Sequence, residues 1–443
     1  MKVMKFGGTS VGSVQRIQEV ANLITDSDKK IVVLSAMSGT TNTLVEIADY
    51  LYKKNPEGAN EIINQLEAKY RTVVKDLYDN EELVTKAIEA NKEIFDTIRS
   101  YTKDLFTLFE EKVILAQGEL MSTQMMAHYL QEKGVKAVLL PALEFMRTDK
   151  NAEPDPVYIR THLEQQLALF PDADIYITQG YICRNAYGEI DNLQRGGSDY
   201  TASLIGAAVD ADEIQIWTDI DGMHNNDPRV VDGTKPVRHL NFDEAAELAY
   251  FGAKILHPTC VQPAKYANIP VRLLNTMDPS APGTLISNDT ELAKIKAVAA
   301  KDDITAIRIK SSRMLLAHGF MRKVFEIFES HETSVDMVCT SEVGVSVTID
   351  NTKNLNNILN DLKMYGTVTV DEDMCILCVV GDLQWQNVGF ESAVVAAMRD
   401  VPVRMISYGG SNYNISFLVR EADKKMALQA LSNALFIGHE VKD

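Results

Sequence analysis

The N-terminal part of the chain alternates between short, uninterrupted apolar runs and polar or amphipathic segments. The runs at residues 3–6, apolar apart from Lys5, and at residues 31–34, fully apolar, have the length of β-strands that are buried on both faces. Helical segments follow from Ser13 and from about Thr43. Strands that alternate with helices form a mostly parallel sheet covered by helices, so the pattern predicts an α/β domain.

Residues 56–130 interrupt this alternation, because they contain almost no glycine and no strand pattern. Apolar residues such as Leu66, Val73 and Leu77 recur instead at helical spacing. We interpret this segment as an α-helical insertion that forms a lid or a wall of a site. Its last helix carries Glu119 directly after a glycine, and composition alone favours a solvent-facing position for this carboxylate.

Further apolar strands are predicted at residues 137–140, 174–182, 214–217 and 270–274. Polar, turn-rich loops follow the strands, among them residues 35–42 and 218–229. Ligands of parallel α/β sheets bind at the carboxyl ends of the strands, so we expect these loops to build the site. The first domain then extends over residues 1–285, and a run rich in proline and glycine marks its end.

The C-terminal part follows a different pattern after a linker at residues 286–303. Strand, helix, two strands, helix and strand follow one another from residue 304, and a similar cycle begins near residue 376. This internal repeat predicts two ferredoxin-like βαββαβ units at about 304–372 and 373–443. The sequence leaves open whether the two units interleave their strands. The repeat contains no catalytic constellation, which favours a role in binding a small molecule or a second subunit.

Composition and charge exclude several classes of function. The chain has 44 basic and 62 acidic residues, and its formal net charge of −18 argues against a nucleic-acid or an anionic-membrane surface. No apolar run approaches the roughly 20 residues that a membrane-spanning helix needs. The five cysteines are scattered and odd in number, which is typical of a cytoplasmic protein. Cys375 and Cys378 have CxxC spacing, but residues three apart in a strand face opposite sides, so we assign no metal site.

Two glycine pairs stand where a strand passes into a helix. Gly7-Gly8 follows the first strand and Lys5, and bare backbone N–H groups beside a helix N-terminus can bind an anion such as phosphate. An ordinary βα turn would show the same glycines. The second pair lies between Arg195, a bidentate fork for a carboxylate or phosphate, and Asp199 in the first helical turn. Asp199 either belongs to the same site or only complements the helix dipole. Lys254, near the end of another helix, either complements the dipole of that helix or binds phosphate.

Six short motifs together resemble those of aspartate kinases, enzymes of the amino-acid kinase superfamily. They are KFGGTSV at residues 5–11, GELMS at 118–122, RGGSDY at 195–200, WTD at 217–219, DPR at 227–229 and FGAK at 251–254. The resemblance covers nearly the whole chain and is closest to the monofunctional, lysine-sensitive type. It implies an amino-acid kinase fold for the catalytic domain and tandem ACT units for a regulatory region at residues 304–443.

The resemblance implies ATP-dependent phosphorylation of the β-carboxylate of L-aspartate to 4-phospho-L-aspartate, the first step of lysine, threonine and methionine biosynthesis. A carboxylate has a reference pKa of about 4 and is already ionised, so this reaction needs no general base. The barrier comes from bringing an anion up to a polyanionic phosphate. We therefore expect positioned cations and backbone N–H donors to act as the catalysts. Mg²⁺ would be held mainly by the phosphates of ATP and by water, and we expect no protein ligand for it.

The motif match assigns site residues in three sets. The catalytic set, in which Asp199 orients the lysines rather than taking a proton, is Lys5, Gly7, Gly8 and Asp199. The aspartate-binding set, with Arg195 on the α-carboxylate and Glu119 on the ammonium, is Ser35, Thr41, Glu119, Arg195 and Ser198. The ATP-binding set, in which His224 replaces the tyrosine of lysine-sensitive relatives, is Lys5, Thr218, Asp219, His224, Arg229 and Lys254.

The resemblance also implies a homodimer through the ACT units and an allosteric amino-acid site, with lysine as the expected effector. The effector residues are Met314, Ala317, Gly319, Phe320, Ser334, Val335, Asp336, Thr340, Ser341 and Glu342. Leu316 and Ala317 stand where those relatives carry histidine and serine, which leaves lysine, threonine or no effector as alternatives. Two other functions are a kinase for another carboxylate, such as glutamate, and a non-catalytic amino-acid sensor. The presence of Lys5 and Asp199 disfavours the sensor.

Overall fold

The computed structural model describes all residues except 27, 104, 194–195, 253–255, 315–317 and 438–443. Residues Met1–Met223 and Ile255–Asn288 form one compact unit, and His224–Lys254 and Asp289–Asp443 form a second. They are called the N-terminal and the C-terminal unit below. Segment 224–254, which lies within the predicted first domain, belongs by its contacts to the C-terminal unit. The predicted domain boundaries themselves stay a prediction.

The chain forms 16 strands and 13 α-helices within its described part. In chain order the strands are β1 (Lys2–Phe6), β2 (Lys30–Leu34), β3 (Ala137–Leu140), β4 (Ile175–Gln179), β5 (Ile182–Arg184), β6 (Ile190–Asn192), β7 (Glu213–Thr218), β8 (His239–Asn241), β9 (Val271–Asn275), β10 (Thr284–Ser287), β11 (Ile295–Lys310), β12 (Val338–Ser341), β13 (Gly344–Ile349), β14 (Thr367–Gly381), β15 (Met405–Tyr408) and β16 (Asn414–Arg420).

The helices are α1 (Val14–Ile24), α2 (Thr40–Tyr52), α3 (Pro56–Leu77), α4 (Glu81–Ser100), α5 (Leu108–Glu132), α6 (Pro156–Ala168), α7 (Gly197–Ala208), α8 (Phe242–Tyr250), α9 (Gln262–Ala267), α10 (Phe320–Ser330), α11 (Leu355–Lys363), α12 (Phe390–Ala397) and α13 (Lys424–Ser432). None of these helices is both long and apolar enough to cross a membrane, as far as the described residues extend.

Seven strands of the N-terminal unit lie side by side in the order β3-β4-β2-β1-β7-β9-β10, and all except β10 are parallel. Every residue of β2 and β4 is buried, as expected for strands that are covered on both faces. Phe6 at the end of β1 lies opposite Leu34 of β2 and Trp217 of β7. The loops after these three strands therefore start at the same edge of the sheet, and the α/β prediction is confirmed.

Three helices, α3, α4 and α5, make up the segment in which the sequence shows no strand pattern. Asn55 and Asn80 cap the first turns of α3 and α4, and Thr107 forms a capping box with Glu110 at the start of α5. Apolar side chains of the three helices join those of β1 and β2 in one buried core. The insertion is therefore a packed wall of the N-terminal unit.

The C-terminal unit contains a six-stranded antiparallel sheet in the order β12-β13-β11-β14-β16-β15. Helices α10 and α11 pack on the half that contains β13, and α12 and α13 pack on the half that contains β16. The long central strands β11 and β14 run through both halves, with an irregular register between Lys301 and Ala306. Each half thus has the four strands and two helices of a βαββαβ unit, as the repeat predicts.

Strand β11 begins at Ile295, within the segment that the sequence predicts as a linker up to residue 303. Residues 297–300 are mostly alanine, which has a low strand propensity, but they pair with residues 377–380 of β14, and residues 297–299 are buried. This first part of β11 completes the half that contains β16, whereas residues 305–310 pair with β13. The two βαββαβ units are therefore interleaved.

Candidate active site

A cavity of about 420 Å³ opens at the carboxyl ends of β1 and β2 in the N-terminal unit. Its walls come from the loops after these strands, from α5, from the turn after β4 and from the start of α7. The lining residues are Gly8, Thr9, Ser35, Ala36, Met37, Ser38, Gly39, Thr41, Asn42, Glu119, Tyr181, Gly197 and Ser198. The structure thus brings together Ser35, Thr41, Glu119 and Ser198 of the predicted aspartate set. Arg195, the fifth member, lies outside the described residues.

Lys5 is paired with Asp199 beside this cavity. Lys5 Nζ, near the end of β1, lies 2.7 Å from Oδ1 of Asp199 in the first turn of α7. Only 11% and 15% of the two side chains are exposed, so the ammonium group has a fixed and mostly dry position. A Cβ on Gly7 would lie 3.4 Å from Lys5 Nζ, and one on Gly8 would lie 2.8 Å from the Ala36 carbonyl oxygen. Gly8 is therefore required by the close approach of two loops.

Ser35 and Ser198 join the end of β2 to the start of α7. The Ser35 hydroxyl donates a hydrogen bond to Ser198 Oγ at 2.9 Å. Ser122 of α5, which the sequence does not single out, donates from its hydroxyl to the Ser35 carbonyl oxygen at 2.8 Å. Gly196 and Gly197 adopt φ angles of +78° and +41°, which allow the chain to turn into α7 at this point.

Glu119 is buried, with 3% of its surface exposed, so the solvent-facing position favoured by composition is wrong. Oε1 accepts a hydrogen bond from the Ala36 N–H at 3.1 Å, and Oε2 has no partner among the described residues. Burial is the main cause that raises the pKa of Glu119 to about 7. Gly118 allows α5 to come this close, because an added Cβ would lie 2.7 Å from the Ala36 Cβ. A carboxylate held in this way is suited to pair with a cationic group of a ligand.

Tyr181 also lines the cavity, although the sequence reasoning missed it. Its φ of +69° lies in the left-handed region, which costs energy for a residue with a side chain. Its N–H donates to Thr201 Oγ1 at 2.9 Å, and its ring lies against the backbone of Gly197. Burial raises the pKa of Tyr181 to about 12, so the phenol is neutral at physiological pH. The only signal in the sequence is the Gly-Tyr pair directly after a buried strand.

The residues predicted to bind ATP are divided between the two units. In the N-terminal unit, Thr218 ends β7 and its hydroxyl accepts a backbone hydrogen bond from the following turn, while Asp219 is exposed. In the C-terminal unit, His224 Nδ1 lies 3.0 Å from Thr234 Oγ1. Lys254 lies outside the described residues. Their common role in nucleotide binding stays a prediction.

Arg229 is exposed, but a neighbouring carboxylate fixes the orientation of its guanidinium. Arg229 Nε and Nη2 donate to the two carboxylate oxygens of Asp227 at 2.9 and 2.8 Å. This bidentate contact lowers the pKa of Asp227 and raises that of Arg229. Asp227, which the motif match does not assign to the site, therefore orients a residue that is predicted to bind ATP.

The predicted effector residues surround the β12–β13 hairpin and the start of α10. Those that are exposed are Gly319, Ser334, Thr340, Ser341 and Glu342, whereas Met314 and Val335 are half-buried and Phe320 is buried. Ala317 lies outside the described residues. The effector-binding role of these residues stays a prediction.

Asp336 differs from the other predicted effector residues because its side chain is only 1% exposed. Oδ1 lies 2.7 Å from Lys301 Nζ and accepts a hydrogen bond of 2.6 Å from the Tyr250 hydroxyl. Lys301 Nζ also lies 2.9 Å from Asp350 and 4.4 Å from the centre of the Tyr250 ring. The sequence reasoning missed Lys301 and Tyr250, which are far from Asp336 along the chain.

Comparison with known proteins identifies the family. The model of the amino acid kinase family matches residues 1–275, and that of an ACT domain matches residues 377–435. Aspartokinase 1, chloroplastic, of Arabidopsis thaliana is 36% identical over 457 residues, which cover 98% of this chain and 80% of that protein. The chain belongs to the aspartokinase family.

A bacterial aspartokinase is similar over the full length of both proteins. Lysine-sensitive aspartokinase 3 of Escherichia coli (strain K12) is 34% identical over 453 residues, which cover 98% of this chain and 99% of that protein. The crystal structure of E. coli aspartokinase III in complex with aspartate and ADP matches with a TM-score of 0.85 at 33% identity and covers 98% of this chain and 100% of that one. The aspartokinase family that the six motifs predict is confirmed.

Proposed function

We propose that the chain transfers the γ-phosphoryl group of ATP to the β-carboxylate of L-aspartate and forms 4-phospho-L-aspartate. The observation that carries the proposal is the cavity that has the Lys5–Asp199 pair beside it and, in its wall, an oxygen of Glu119 that has no partner in the described part of the chain. A cation for a phosphate and a carboxylate for an ammonium group are the two charges that an amino-acid kinase needs. The aspartate and ADP bound in the similar E. coli structure support the same substrates here.

Lys5 neutralises charge on the phosphoryl group during transfer, and Asp199 positions its ammonium group. Gly8 is the better backbone donor of the two glycines, because the Gly7 N–H already donates to the Trp217 carbonyl oxygen at 3.4 Å. The attacking β-carboxylate is ionised at neutral pH, so no side chain has to act as a base. Fixed charges that meet the developing transition state then supply the rate enhancement.

Glu119 binds the ammonium group of aspartate, and Ser35, Thr41 and Ser198 offer hydroxyl groups at the same cavity. With a pKa of about 7, Glu119 is partly protonated at neutral pH. Binding of an ammonium group favours the ionised carboxylate, so aspartate binding and proton release are coupled. Arg195 is assigned to the α-carboxylate on the motif match alone.

ATP is bound by Thr218, Asp219, His224, Arg229 and Lys254 in this proposal. Mg²⁺ prefers oxygen ligands, and in this proposal Lys5 engages the carboxylate of Asp199 and the ammonium group of aspartate engages that of Glu119. The ion would therefore be held by phosphate and water oxygens, and it would neutralise charge on the triphosphate. No group of three His, Cys, Asp or Glu side chains suited to a metal occurs among the described residues.

The C-terminal unit is proposed to bind an amino-acid effector, with lysine as the first candidate because the similar E. coli enzyme is named lysine-sensitive. The exposed polar residues of the β12–β13 hairpin and the buried carboxylate of Asp336 suit an amino acid's polar groups. Sheets of ACT units commonly pair between subunits, so a homodimer through the C-terminal unit is part of the proposal. A cytoplasmic location also remains part of the proposal.

Release of ADP in an ATP-coupled assay with different amino acids tests the proposed reaction. We expect turnover with L-aspartate and little or none with L-glutamate, which is the second candidate substrate. Faster turnover with glutamate would contradict the substrate assignment. Aspartate binding without ADP release would instead identify an amino-acid sensor.

Isothermal titration with lysine, threonine and methionine tests the effector. We expect heat from lysine, together with slower ADP release when lysine is added to the assay. No heat from any of the three amino acids would remove the regulatory proposal without affecting the kinase reaction.

A further inference from the structure

The loop between β2 and α2 supplies much of the cavity wall, and α3 of the helical insertion holds this loop. Where this loop passes into α2, Thr40, the first residue of the helix, is fully buried, and its Oγ1 forms a hydrogen bond of 2.9 Å with the Tyr70 hydroxyl of α3. The preceding residue of α3, Lys69, donates from Nζ to the Ser38 carbonyl oxygen at 3.1 Å. Two neighbouring residues of α3 therefore hold the wall of the cavity at two points.

Tyr70 itself has a fixed position. Its side chain is 0% exposed, and its ring meets Phe95 of α4 edge to face, with the ring centres 6.1 Å apart and an interplanar angle of 64°. Burial raises the pKa of Tyr70 above its ordinary value, so the hydroxyl stays protonated. The packing of α3 against α4 thereby determines where the hydroxyl meets the loop.

The hydrogen bond acts at a sensitive place in the loop, because Thr40 lies between two residues that line the cavity. Gly39 precedes it with a φ of +81°, and Thr41 follows it as the predicted aspartate ligand. The Thr40 N–H donates to the Met37 carbonyl oxygen at 3.0 Å, so the whole turn is tied together. A buried hydroxyl without a hydrogen-bond partner costs free energy. Loss of the hydrogen bond to Tyr70 would therefore favour conformations in which the Thr40 hydroxyl reaches water.

We propose that Tyr70 is a positioning residue for the amino-acid substrate, which holds residues 39–41 through Thr40 in the geometry that binds aspartate. The inference rests on the proposed function, since it takes the cavity to be the aspartate site. Tyr70 does not line the cavity and touches no reacting atom. Its loss is therefore expected to raise the KM for aspartate and to leave the KM for ATP unchanged.

Three variants separate positioning from general stability. Tyr70→Phe keeps the ring and leaves Thr40 Oγ1 without its partner, whereas Tyr70→Phe/Thr40→Val removes both groups of the hydrogen bond. Tyr78→Phe is the matched control, because Tyr78 is also buried at the end of the insertion's first helix, and its hydroxyl donates to the Met125 carbonyl oxygen at 3.0 Å. Met125 does not line the cavity. Both single variants lose one buried phenol hydrogen bond, so their losses of stability should be similar.

Kinetics with aspartate as the varied substrate give the first readout. We expect Tyr70→Phe to raise the KM for aspartate about threefold to thirtyfold, since an unpaired buried hydroxyl disfavours the binding geometry. Tyr78→Phe should leave this KM unchanged. The double variant should recover most of the affinity, because replacing both partners by apolar groups leaves nothing unpaired. Equal KM values in the Tyr70 and Tyr78 variants would overturn the proposal.

Hydrogen exchange of the amides of residues 36–42, measured without substrates, gives a second readout that does not depend on turnover. It should increase in Tyr70→Phe and not in Tyr78→Phe, and unchanged exchange in both variants would show that Tyr70 is only a core residue. If the wild type releases no ADP with aspartate and exchange still increases in Tyr70→Phe alone, the proposed function is overturned. The positioning of the loop is then retained for another ligand.

Discussion

Removing the ammonium group of Lys5 should separate the chemistry of the site from its stability. Lys5 Nζ lies 2.7 Å from Asp199, and the two side chains are 11% and 15% exposed. Lys5→Met therefore leaves a mostly buried carboxylate without its cation. Breaking a buried ion pair from one side costs about 3–5 kcal/mol of unfolding free energy, and the residual exposure places this pair at the lower end.

The same change should lower turnover strongly. Loss of one fixed group that stabilises transition-state charge lowers kcat by about 10²–10³-fold. Lys5→Met/Asp199→Asn removes the cation and the orphaned charge together, so we expect the unfolding free energy to return close to that of the wild type. We expect no recovery of kcat, since in the proposed mechanism the missing charge is the one that meets the phosphoryl group.

Urea unfolding and ADP release at saturating ATP and aspartate measure the two quantities on the same three proteins. Aspartate binding by titration calorimetry should be largely intact in both variants, because the aspartate set is unchanged. A kcat for Lys5→Met within about tenfold of the wild type would refute the assigned role. A double variant that regains turnover together with stability would show that Lys5 acts only through the fold.

Three further predictions concern the cavity and the effector region. Because the pKa of Glu119 is raised to about 7, its ionised form is scarce at lower pH, and the KM for aspartate should rise as the pH falls from about 8 to 6. Glu119→Gln should abolish this pH dependence of the KM. The same dependence in the variant would contradict the assignment of Glu119 to the ammonium group. In the protein without aspartate, the free energy of unfolding should change with pH in the opposite sense. Because folding raises the pKa of the Glu119 carboxyl group, this free energy should fall as the pH rises from about 4.5 through about 7. Gly118→Ala should raise the KM for aspartate, because the new Cβ would meet that of Ala36 at 2.7 Å, and an unchanged KM would show that α5 can yield there. Tyr250→Phe should lower the lysine concentration for half-inhibition about threefold to tenfold, because the ammonium group of an effector then competes with one donor fewer for Asp336. An unchanged concentration would show that the Tyr250–Asp336 hydrogen bond does not affect regulation.

Local patterns were sufficient for the parts of the fold that local residues decide. The apolar runs of β1 and β2 and the glycines after them predict strand ends at one edge of a sheet, and the structure places Phe6 and Leu34 side by side there. The insertion is helical because its apolar residues have a helical period throughout. The first part of β11 is not predicted as a strand, because its alanine-rich run is stabilised as a strand only by the pairing with β14.

The candidate site shows the same division. Lys5, Asp199 and the serines could be named from motifs, because each stands at a strand end or in a first helical turn. The burial of Glu119 could not, because it depends on the approach of α5 to the loop that contains Ala36. The contacts of Tyr70 with Thr40 and of Tyr250 with Asp336 join residues far apart in the sequence, and no local period reports such pairs.

Trapping of the reaction product with hydroxylamine tests the central claim most directly. Hydroxylamine displaces phosphate from an acyl phosphate and leaves a hydroxamate on the carboxyl group of aspartate that was phosphorylated. Mass spectrometry then locates the modified carboxyl group. We predict an ATP-dependent β-hydroxamate of aspartate with the wild type and almost none with Lys5→Met. ADP release without any aspartyl hydroxamate, or a hydroxamate of glutamate in preference, would contradict the account.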